Sequence, residues 1–172
     1  MTAPTFRATE PATPGALVAP LLERVGRYLP AERMPLIEAA YAFAYECHDG
    51  TLRKSGDPYI THPVAVTEMV AGLELDQHAI AAALLHDVQE DCGIPNETLK
   101  KRFGKEVADL VEGLTKLDKL SDQAGEQFSR DSVQAQNLRK MFLAMAEDVR
   151  VVLIKLCDRL HNMRTLWAQA PE

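Results

Sequence analysis

Apolar residues recur every three to four positions along most of the chain, which is the spacing of helices that bury one face. Between positions 34 and 48, for example, Leu36, Ala40, Phe43 and Ala44 fall on one side. The pattern predicts an all-α fold. The predicted helices cover residues 17–28, 34–48, 64–72, 76–91, 96–104, 105–117, 132–146 and 149–167.

Residue types that favour helix ends support these boundaries. Asp76, Asn96 and Asp148 each precede a periodic segment and suit the N-cap, where a short polar side chain accepts a hydrogen bond from the backbone. Pro63 suits the first turn of a helix, and Gly104 suits the position after a helix end. The run VVLI at 151–154 would also fit a strand, and we assign it to a buried helix although periodicity alone does not decide.

Three segments lack a helical period. Residues 1–14, rich in Pro, Thr and Ala, are predicted to form a disordered tail ahead of one domain over 15–172. Glycines and prolines in 49–62 predict a loop between helices. The polar segment 119–131 is predicted to be a flexible loop that could close over a bound ligand.

Composition excludes several classes of protein. A length of 172 residues with 47% hydrophobic content suffices for one domain with its own core. The net charge of −6 argues against a nucleic-acid binder, which needs a basic surface. The three cysteines form no C-x-x-C pair, and the sequence shows neither a membrane-spanning run nor a secretory signal. We therefore expect a cytoplasmic protein that binds neither membranes nor nucleic acids.

The most informative string is HDVQED at positions 86–91, which holds one imidazole and three carboxylates. On a continuous helix His86 would lie over Glu90, and Asp87 over Asp91, so that one face could present metal ligands beside acid–base groups. Carboxylates near a helix C-terminus oppose the helix dipole, which favours a bound cation. A solvated acidic helix end is the alternative interpretation.

Other candidate residues are weaker signals by themselves. His62 lies just before a predicted helix, where it could be a ligand, a cap or a packing residue. Asp158, Asn162 and Thr165 share one helical face with Lys155, and this face could be functional or simply salt-bridged. The basic run RKSG at 53–56 could hold a phosphate, although such cations are more often solvated.

Taken in order, four strings of the sequence resemble the hydrolase domain of the RelA/SpoT homologue family. They are YAFAYECHDGTLRKSGDPYITHPVAV, AAALLHDVQED, FGKEVADLVEGLTKL and QNLRKMFLAMAEDVRVVLIKLCDRLHNMRTL. The resemblance covers about residues 39–166 and depends on the order and spacing of all four strings. It implies a compact multi-helix HD-domain bundle with a central metal site, and removal of the 3′-pyrophosphate from (p)ppGpp to give GDP or GTP.

The resemblance also implies roles for individual residues. One divalent ion, commonly Mn²⁺, would be held by His62, His86, Asp87 and Asp158. Acid–base roles are implied for Glu90 and Asp91. Contacts with the guanine nucleotide are implied for Arg53, Lys54, Ser55, Tyr59, Lys140, Asn162 and Thr165. Imidazole and carboxylate ligands without thiolate independently suit Mn²⁺, although they tolerate other divalent ions.

Two departures from the family pattern leave this set intact. The family commonly has valine where Gln89 stands and threonine where Cys92 stands. Because the HD-x-x-ED string is complete, we expect hydrolytic activity. Long members of the family carry synthetase and regulatory domains after the hydrolase domain, so the chain could be an excised part of a bifunctional protein or a stand-alone hydrolase.

Three other functions remain open from the sequence. An HD phosphohydrolase of the same chemistry could act on pGpp, NADPH or a deoxynucleoside triphosphate. A nucleotide-sensing module would bind without cleaving, although the complete acidic string argues against this. A helical packing or dimerisation module would use Met141, Met145 and Met163, which more often fill cores.

Overall fold

The computed structural model describes residues 14–125 and 148–166, and within these residues the fold is helical with one isolated β-bridge, between Leu52 and Pro58. A 3₁₀ turn at Ala31–Arg33 precedes the second helix. The α-helices are α1 (Pro14–Val25), α2 (Met34–Cys47), α3 (Thr61–Ala71), α4 (Gln77–Leu84), α5 (Val88–Asp91), α6 (Asn96–Phe103), α7 (Lys105–Gly125) and α8 (Val149–Arg164). The predicted all-α fold is confirmed. Residues 1–13 of the predicted N-terminal tail and the predicted helix at 132–146 lie outside the described residues, whereas Pro14 already begins α1.

Two of the three predicted N-caps are confirmed. Asp76 accepts hydrogen bonds from two backbone amides of α4, at 2.9 and 3.0 Å. Asp148 accepts from the backbone amide of Arg150 in α8 at 2.9 Å. The prediction for Asn96 is wrong, because Pro95 occupies the N-cap of α6. The Asn96 amide instead donates to the backbone carbonyl of Ala108 at 2.9 Å, so that it joins α6 to α7.

The prediction of one continuous helix over 76–91 is also wrong. Helix α4 ends at Leu84, and a turn separates it from the single turn of α5. His86 supplies a physical reason, because its Nδ1 lies 2.8 Å from the carbonyl oxygen of Ala83. In a continuing helix that carbonyl would accept from the amide of Asp87. The imidazole competes for it, as polar side chains often do at helix ends.

The loop predicted from position 119 does not begin there, because α7 continues to Gly125. This helix is anchored by a buried stripe at Val107, Leu110, Val111, Leu114 and Leu117. Adding a residue to a formed helix costs little, so the polar residues that follow extend it. Residues 126–131 of the predicted loop lie outside the described part of the chain.

Helix α4 lies at the centre of the described helices, packed against α2, α3, α7 and α8. Residues 79–85 are completely buried. A helix that is apolar on every side is stable only in such an interior position. Because this buried segment runs directly into His86, the core of the bundle positions the HDVQED string.

Helix α8 packs along both α3 and α7. The approach to α7 is close at Gly113, where a Cβ atom would lie 3.0 Å from Cγ2 of Val151. The approach to α3 brings His62, in the first turn of α3, against Asp158 of α8. Among the described residues, none of the helices combines the length and the apolar character that crossing a bilayer requires.

Candidate metal centre and active site

The four side chains proposed as metal ligands come together from three separate segments. His62 Nε2 lies 3.1 Å from Asp158 Oδ1 and 3.6 Å from Asp87 Oδ2. His86 Nε2 lies 3.1 Å from Asp87 Oδ1 and 3.9 Å from Asp158 Oδ1. His62, His86 and Asp158 are each at most 5% exposed. The donor atoms of His62, His86 and Asp87 thus lie close enough together to hold one metal ion, and Asp158 Oδ1 lies beside both imidazoles.

The hydrogen bonding of His86 fits a cation between these side chains. Its Nδ1 faces the Ala83 carbonyl, which can only accept, so Nδ1 carries the proton. Its Nε2 is buried and has no hydrogen-bond partner among the described residues, although Asp87 Oδ1 is 3.1 Å away. An unpartnered ring nitrogen between two carboxylates is the arrangement expected of a metal ligand whose other nitrogen is held by the backbone.

Electrostatics keep both aspartates ionised. Burial by itself raises the pKa of Asp87, but His86, His62 and the Tyr59 hydroxyl hold that pKa well below its usual range. Burial likewise raises the pKa of Asp158, and the close contact with His62, together with the nearby charges of His86 and Lys155, more than reverses the shift. Both carboxylates are therefore available to a divalent ion.

The histidines respond in opposite directions to the same surroundings. Burial lowers the pKa of His62, which stays lowered, so this ring is neutral. Burial also lowers the pKa of His86, but Asp87 and Asp158 raise it to about 9. A proton and a divalent ion therefore compete for Nε2 of His86, since both need its lone pair.

Both oxygens of Asp158 have partners on α8 itself. Lys155 Nζ donates to Oδ2 at 2.6 Å, and Asn162 Nδ2 donates to Oδ1 at 2.7 Å. Lys155 also forms an ion pair with Asp118 of α7. The sequence left open whether the face of α8 that carries Asp158 is functional or simply salt-bridged. In the structure this face is salt-bridged and also contributes to the candidate site. Asp118 is not predicted from the sequence, because a partner on another helix leaves no periodic signal.

Tyr59 directly contacts Asp87, one of the candidate metal ligands. Its hydroxyl donates to Asp87 Oδ2 at 2.7 Å, and its ring stacks on His48 with centroids 4.5 Å apart. His48 is buried, 4% exposed, and is not predicted from the sequence either. The unusual Cys92 lies beside it, with Sγ 3.6 Å from His48 Nδ1. Tyr59 is therefore placed to orient Asp87, in addition to any contact with a nucleotide.

Glu90 and Asp91 are both exposed on α5 and face different surroundings. Asp91 lies on the Tyr59 side, where burial, then Asp87 and Asp91, raise the pKa of the Tyr59 hydroxyl far above its usual range. Glu90 lines a surface cavity of about 680 Å³ together with Gln89, whose Oε1 accepts from Thr115 Oγ1 at 3.1 Å. Because α4 ends before His86, His86 and Glu90 do not share the continuous helix expected from the sequence, whereas the amide of Asp91 keeps the helical hydrogen bond to the carbonyl of Asp87 at 2.9 Å.

The residues expected to bind the nucleotide are only partly brought together. Arg53 Nη2 lies 3.1 Å from Asn162 Oδ1 and 3.4 Å from Thr165 Oγ1, so these three form one group. Lys54 is exposed, and the hydroxyl of Ser55 donates to Asp57 at 2.8 Å. Lys140 lies outside the described residues.

A second cluster of acidic side chains and histidine has another explanation. Asp76, His78 and Glu106 lie close enough together to hold a cation. The guanidinium of Arg150 already donates to Asp76 Oδ2 at 2.6 Å and to Glu106 Oε1 at 2.8 Å. This cluster is therefore an ion-pair network that joins the starts of α4, α7 and α8.

Comparison with known proteins finds similar sequences along most of the chain. A family model described as HD domain matches residues 40–172. The bifunctional (p)ppGpp synthase/hydrolase SpoT of Escherichia coli (strain K12) is 47% identical over 152 residues, which are 88% of this chain and 21% of that protein. The guanosine-3′,5′-bis(diphosphate) 3′-pyrophosphohydrolase of Haemophilus influenzae is 54% identical over 129 residues, 75% of this chain and 18% of that protein. The chain thus spans about a fifth of the length of these relatives.

A solved structure supports the same relationship. It is described as a metazoan ortholog of SpoT that hydrolyzes ppGpp, and it aligns with a TM-score of 0.56 and 25% sequence identity. The alignment covers 84% of this chain and 75% of that chain. The resemblance to the RelA/SpoT homologues that the sequence strings indicated is confirmed by these matches.

Proposed function

Because the chain belongs to the HD domain family and matches RelA/SpoT homologues over most of its length, we propose that it hydrolyses (p)ppGpp at the 3′-pyrophosphate. One observation carries the proposal. Two buried histidines and two ionised aspartates lie close together, and two exposed carboxylates follow directly on α5. This arrangement supports the proposal of a metal site with an acid–base pair next to it that solvent can reach.

We propose that His62, His86, Asp87 and Asp158 hold one divalent ion and that this ion is Mn²⁺. Nitrogen and carboxylate donors without thiolate suit Mn²⁺, and the unpartnered Nε2 of His86 supports a cation at this position. When bound, a divalent ion supplies Lewis acidity, lowering the pKa of a nearby water and stabilising charge on phosphate oxygens.

The side chains of this chain supply the proton transfers and the binding energy. A water oxygen attacks the phosphorus attached to O3′, the bond from that phosphorus to O3′ breaks, and pyrophosphate leaves. A carboxylate must accept the proton of the attacking water, and the departing O3′ must gain one. We assign these transfers to Glu90 and Asp91. The position of Asp91 beside Tyr59 supports its assignment. The exposed position of Glu90 on the same helical turn supports the assignment of Glu90.

Nucleotide binding is proposed for the group around Arg53. Its guanidinium, with the polar side chains of Asn162 and Thr165, forms a cluster of donors and acceptors near the metal ligands. Arginine is suited to bidentate contacts with phosphate. Lys54, Ser55, Tyr59 and Lys140 complete the proposed set, the last from outside the described residues. A nucleotide substrate of this kind is in keeping with a cytoplasmic location and, by analogy with the longer relatives, with synthetase and regulatory domains in a longer protein.

The proposal is tested by measuring pyrophosphate release from ppGpp with and without Mn²⁺. We expect Mn²⁺-dependent release, and no release from the Asp158→Ala variant, because the ligand set is then incomplete. Glu90→Gln and Asp91→Asn should each lower kcat about 100-fold or more while nucleotide binding is retained. Asp109→Asn, which changes an exposed carboxylate paired with Lys105 on α7, is the matched control and should leave turnover unchanged.

Substrate identity needs a second arm of the same assay. Release of phosphate or pyrophosphate is compared for ppGpp, pppGpp, pGpp, NADPH and dGTP at equal concentration. Fast cleavage of another compound with ppGpp inert would replace the proposed substrate and keep the proposed chemistry. Unchanged turnover in both amide variants would remove the acid–base assignment. Retention of nucleotide without any cleavage would make the chain a sensing module.

A further inference from the structure

The second ring nitrogen of His62 has a partner that no part of the proposed reaction explains. His62 Nε2 faces Asp158 and Asp87, while Nδ1 lies 2.7 Å from Nδ1 of His161. His62 is 3% exposed, so solvent does not compete for this contact. The two histidines are 99 positions apart, on α3 and α8.

A separation of 2.7 Å between two ring nitrogens requires one donor and one acceptor. Arg53 decides which is which, because its Nη1 lies 3.3 Å from the same Nδ1 of His161. A guanidinium has only donors, so His161 Nδ1 is the acceptor for both neighbours. The proton of the short contact therefore belongs to Nδ1 of His62, which leaves the Nε2 of His62 with a lone pair directed at the two carboxylates.

We propose that His161 is a positioning residue for the metal centre, which fixes the tautomer and the ring orientation of His62 by accepting a hydrogen bond from its Nδ1. This inference rests on the metal site of the proposed function. The carbonyl of Ala83 does the same for His86, so that both histidines present Nε2 to the same volume. Outer partners of this kind set the basicity and direction of a ligating imidazole.

Arg53 holds His161 from the other side. The same guanidinium reaches Asn162 Oδ1 and Thr165 Oγ1 through Nη2. Asn162 in turn donates to Asp158 Oδ1. Two chains of hydrogen bonds therefore run from the loop before α3 to the metal ligands, one ending on His62 and one on Asp158. Nδ1 of His161 thus accepts from the buried ring of His62 and from the charged guanidinium of Arg53, and these two contacts fix the orientation of the His161 ring.

The test uses two substitutions that differ only in hydrogen bonding. His161→Asn places an amide oxygen near the position of Nδ1 and keeps an acceptor, whereas His161→Leu removes it. We expect the dissociation constant for Mn²⁺, measured by calorimetry on the intact chain, to rise about 10- to 100-fold for leucine and much less for asparagine. His78→Leu, which removes a histidine of the Arg150 network, is the control and should leave Mn²⁺ binding at the site unchanged.

Nuclear magnetic resonance of the imidazole nitrogens gives a readout that does not depend on activity or on bound metal. The chain has five histidines, so individual assignment is practical. At neutral pH the metal-free protein should show His62 protonated at Nδ1 and His161 unprotonated at Nδ1. The leucine variant should lose the single tautomer of His62, and the asparagine variant should retain it.

The outcomes separate this inference from the proposed function. If the wild-type chain binds Mn²⁺ and the leucine variant binds it equally well, His161 has no positioning role and the proposed metal site stands. If His62 carries its proton on Nε2 instead, the direction of the hydrogen bond is the reverse and the inference is overturned. If the wild-type chain binds no Mn²⁺, the proposed metal site fails, and the positioning role fails with it.

Discussion

Replacing Tyr59 with phenylalanine isolates one hydrogen bond at the proposed metal site. The sequence suggested a nucleotide contact for Tyr59, whereas the structure shows its hydroxyl 2.7 Å from Asp87 Oδ2. Phenylalanine keeps the ring that stacks on His48 and removes only the donor. The high pKa of this hydroxyl, caused first by burial and then by Asp87 and Asp91, means that it remains a donor throughout the ordinary pH range.

The size of the effect follows from the charge and exposure of the acceptor. A hydrogen bond to a charged group contributes about 1.5–3 kcal/mol. The Asp87 side chain is 17% exposed, so water replaces part of this bond in the variant and the lower value applies. About 1.4 kcal/mol corresponds to a tenfold change in a binding constant, so we expect Mn²⁺ affinity to fall about tenfold.

The assay is a Mn²⁺ titration of wild type, Tyr59→Phe and Tyr59→Leu, followed by steady-state hydrolysis of ppGpp at saturating Mn²⁺. Leucine also removes the stack on His48 and should weaken Mn²⁺ binding further. Saturating metal should restore most of kcat in the phenylalanine variant. Unchanged Mn²⁺ affinity together with a raised KM for ppGpp would refute the reasoning, because Tyr59 would then act only on the nucleotide.

Three further predictions concern stability. The pKa of His86 is raised to about 9, against about 6.5 in the unfolded chain. Its contribution to the free energy of unfolding is therefore complete below about pH 6.5 and is lost as the pH rises through 9. Urea titrations of the metal-free protein across this window should show the free energy of unfolding falling by at most about 3 kcal/mol. Arg150→Met removes ion pairs to three carboxylates that are 30 to 49% exposed. It should lower the free energy of unfolding by about 2 kcal/mol and Tm by roughly 4–8 °C. The control variant Lys105→Met should hardly change Tm. A loss below about 0.5 kcal/mol for Arg150→Met would contradict the network. Gly104→Ala should lower the free energy of unfolding by about 1–3 kcal/mol in the same urea experiment, because φ of 89° and ψ of 166° suit only glycine. An unchanged urea midpoint would show that the backbone relaxes at this position.

Local sequence was sufficient for most of the helices and for their chemistry. The three-to-four residue period and the caps at Asp76 and Asp148 depend on neighbours within one or two turns, so they can be read from the chain. The residue types of the HDVQED string likewise indicated a metal-binding and acid–base function, and the order of four strings indicated the family. Local sequence did not predict where a side chain competes for a backbone group. At His86 the imidazole contacts the Ala83 carbonyl, and α4 ends before the predicted boundary.

The arrangement of the site was decided by helix packing. His62 and His161 are 99 positions apart, and Lys155 reaches Asp118 on another helix, so neither contact leaves a periodic trace in the sequence. Both exist because α8 lies against α3 and α7, with Gly113 allowing the close approach to α7. The sequence determined which groups are chemically able to bind a cation and transfer protons, because that depends on residue type. Only the tertiary structure determined their hydrogen-bond partners and directions, because those depend on how separate helices share one interior.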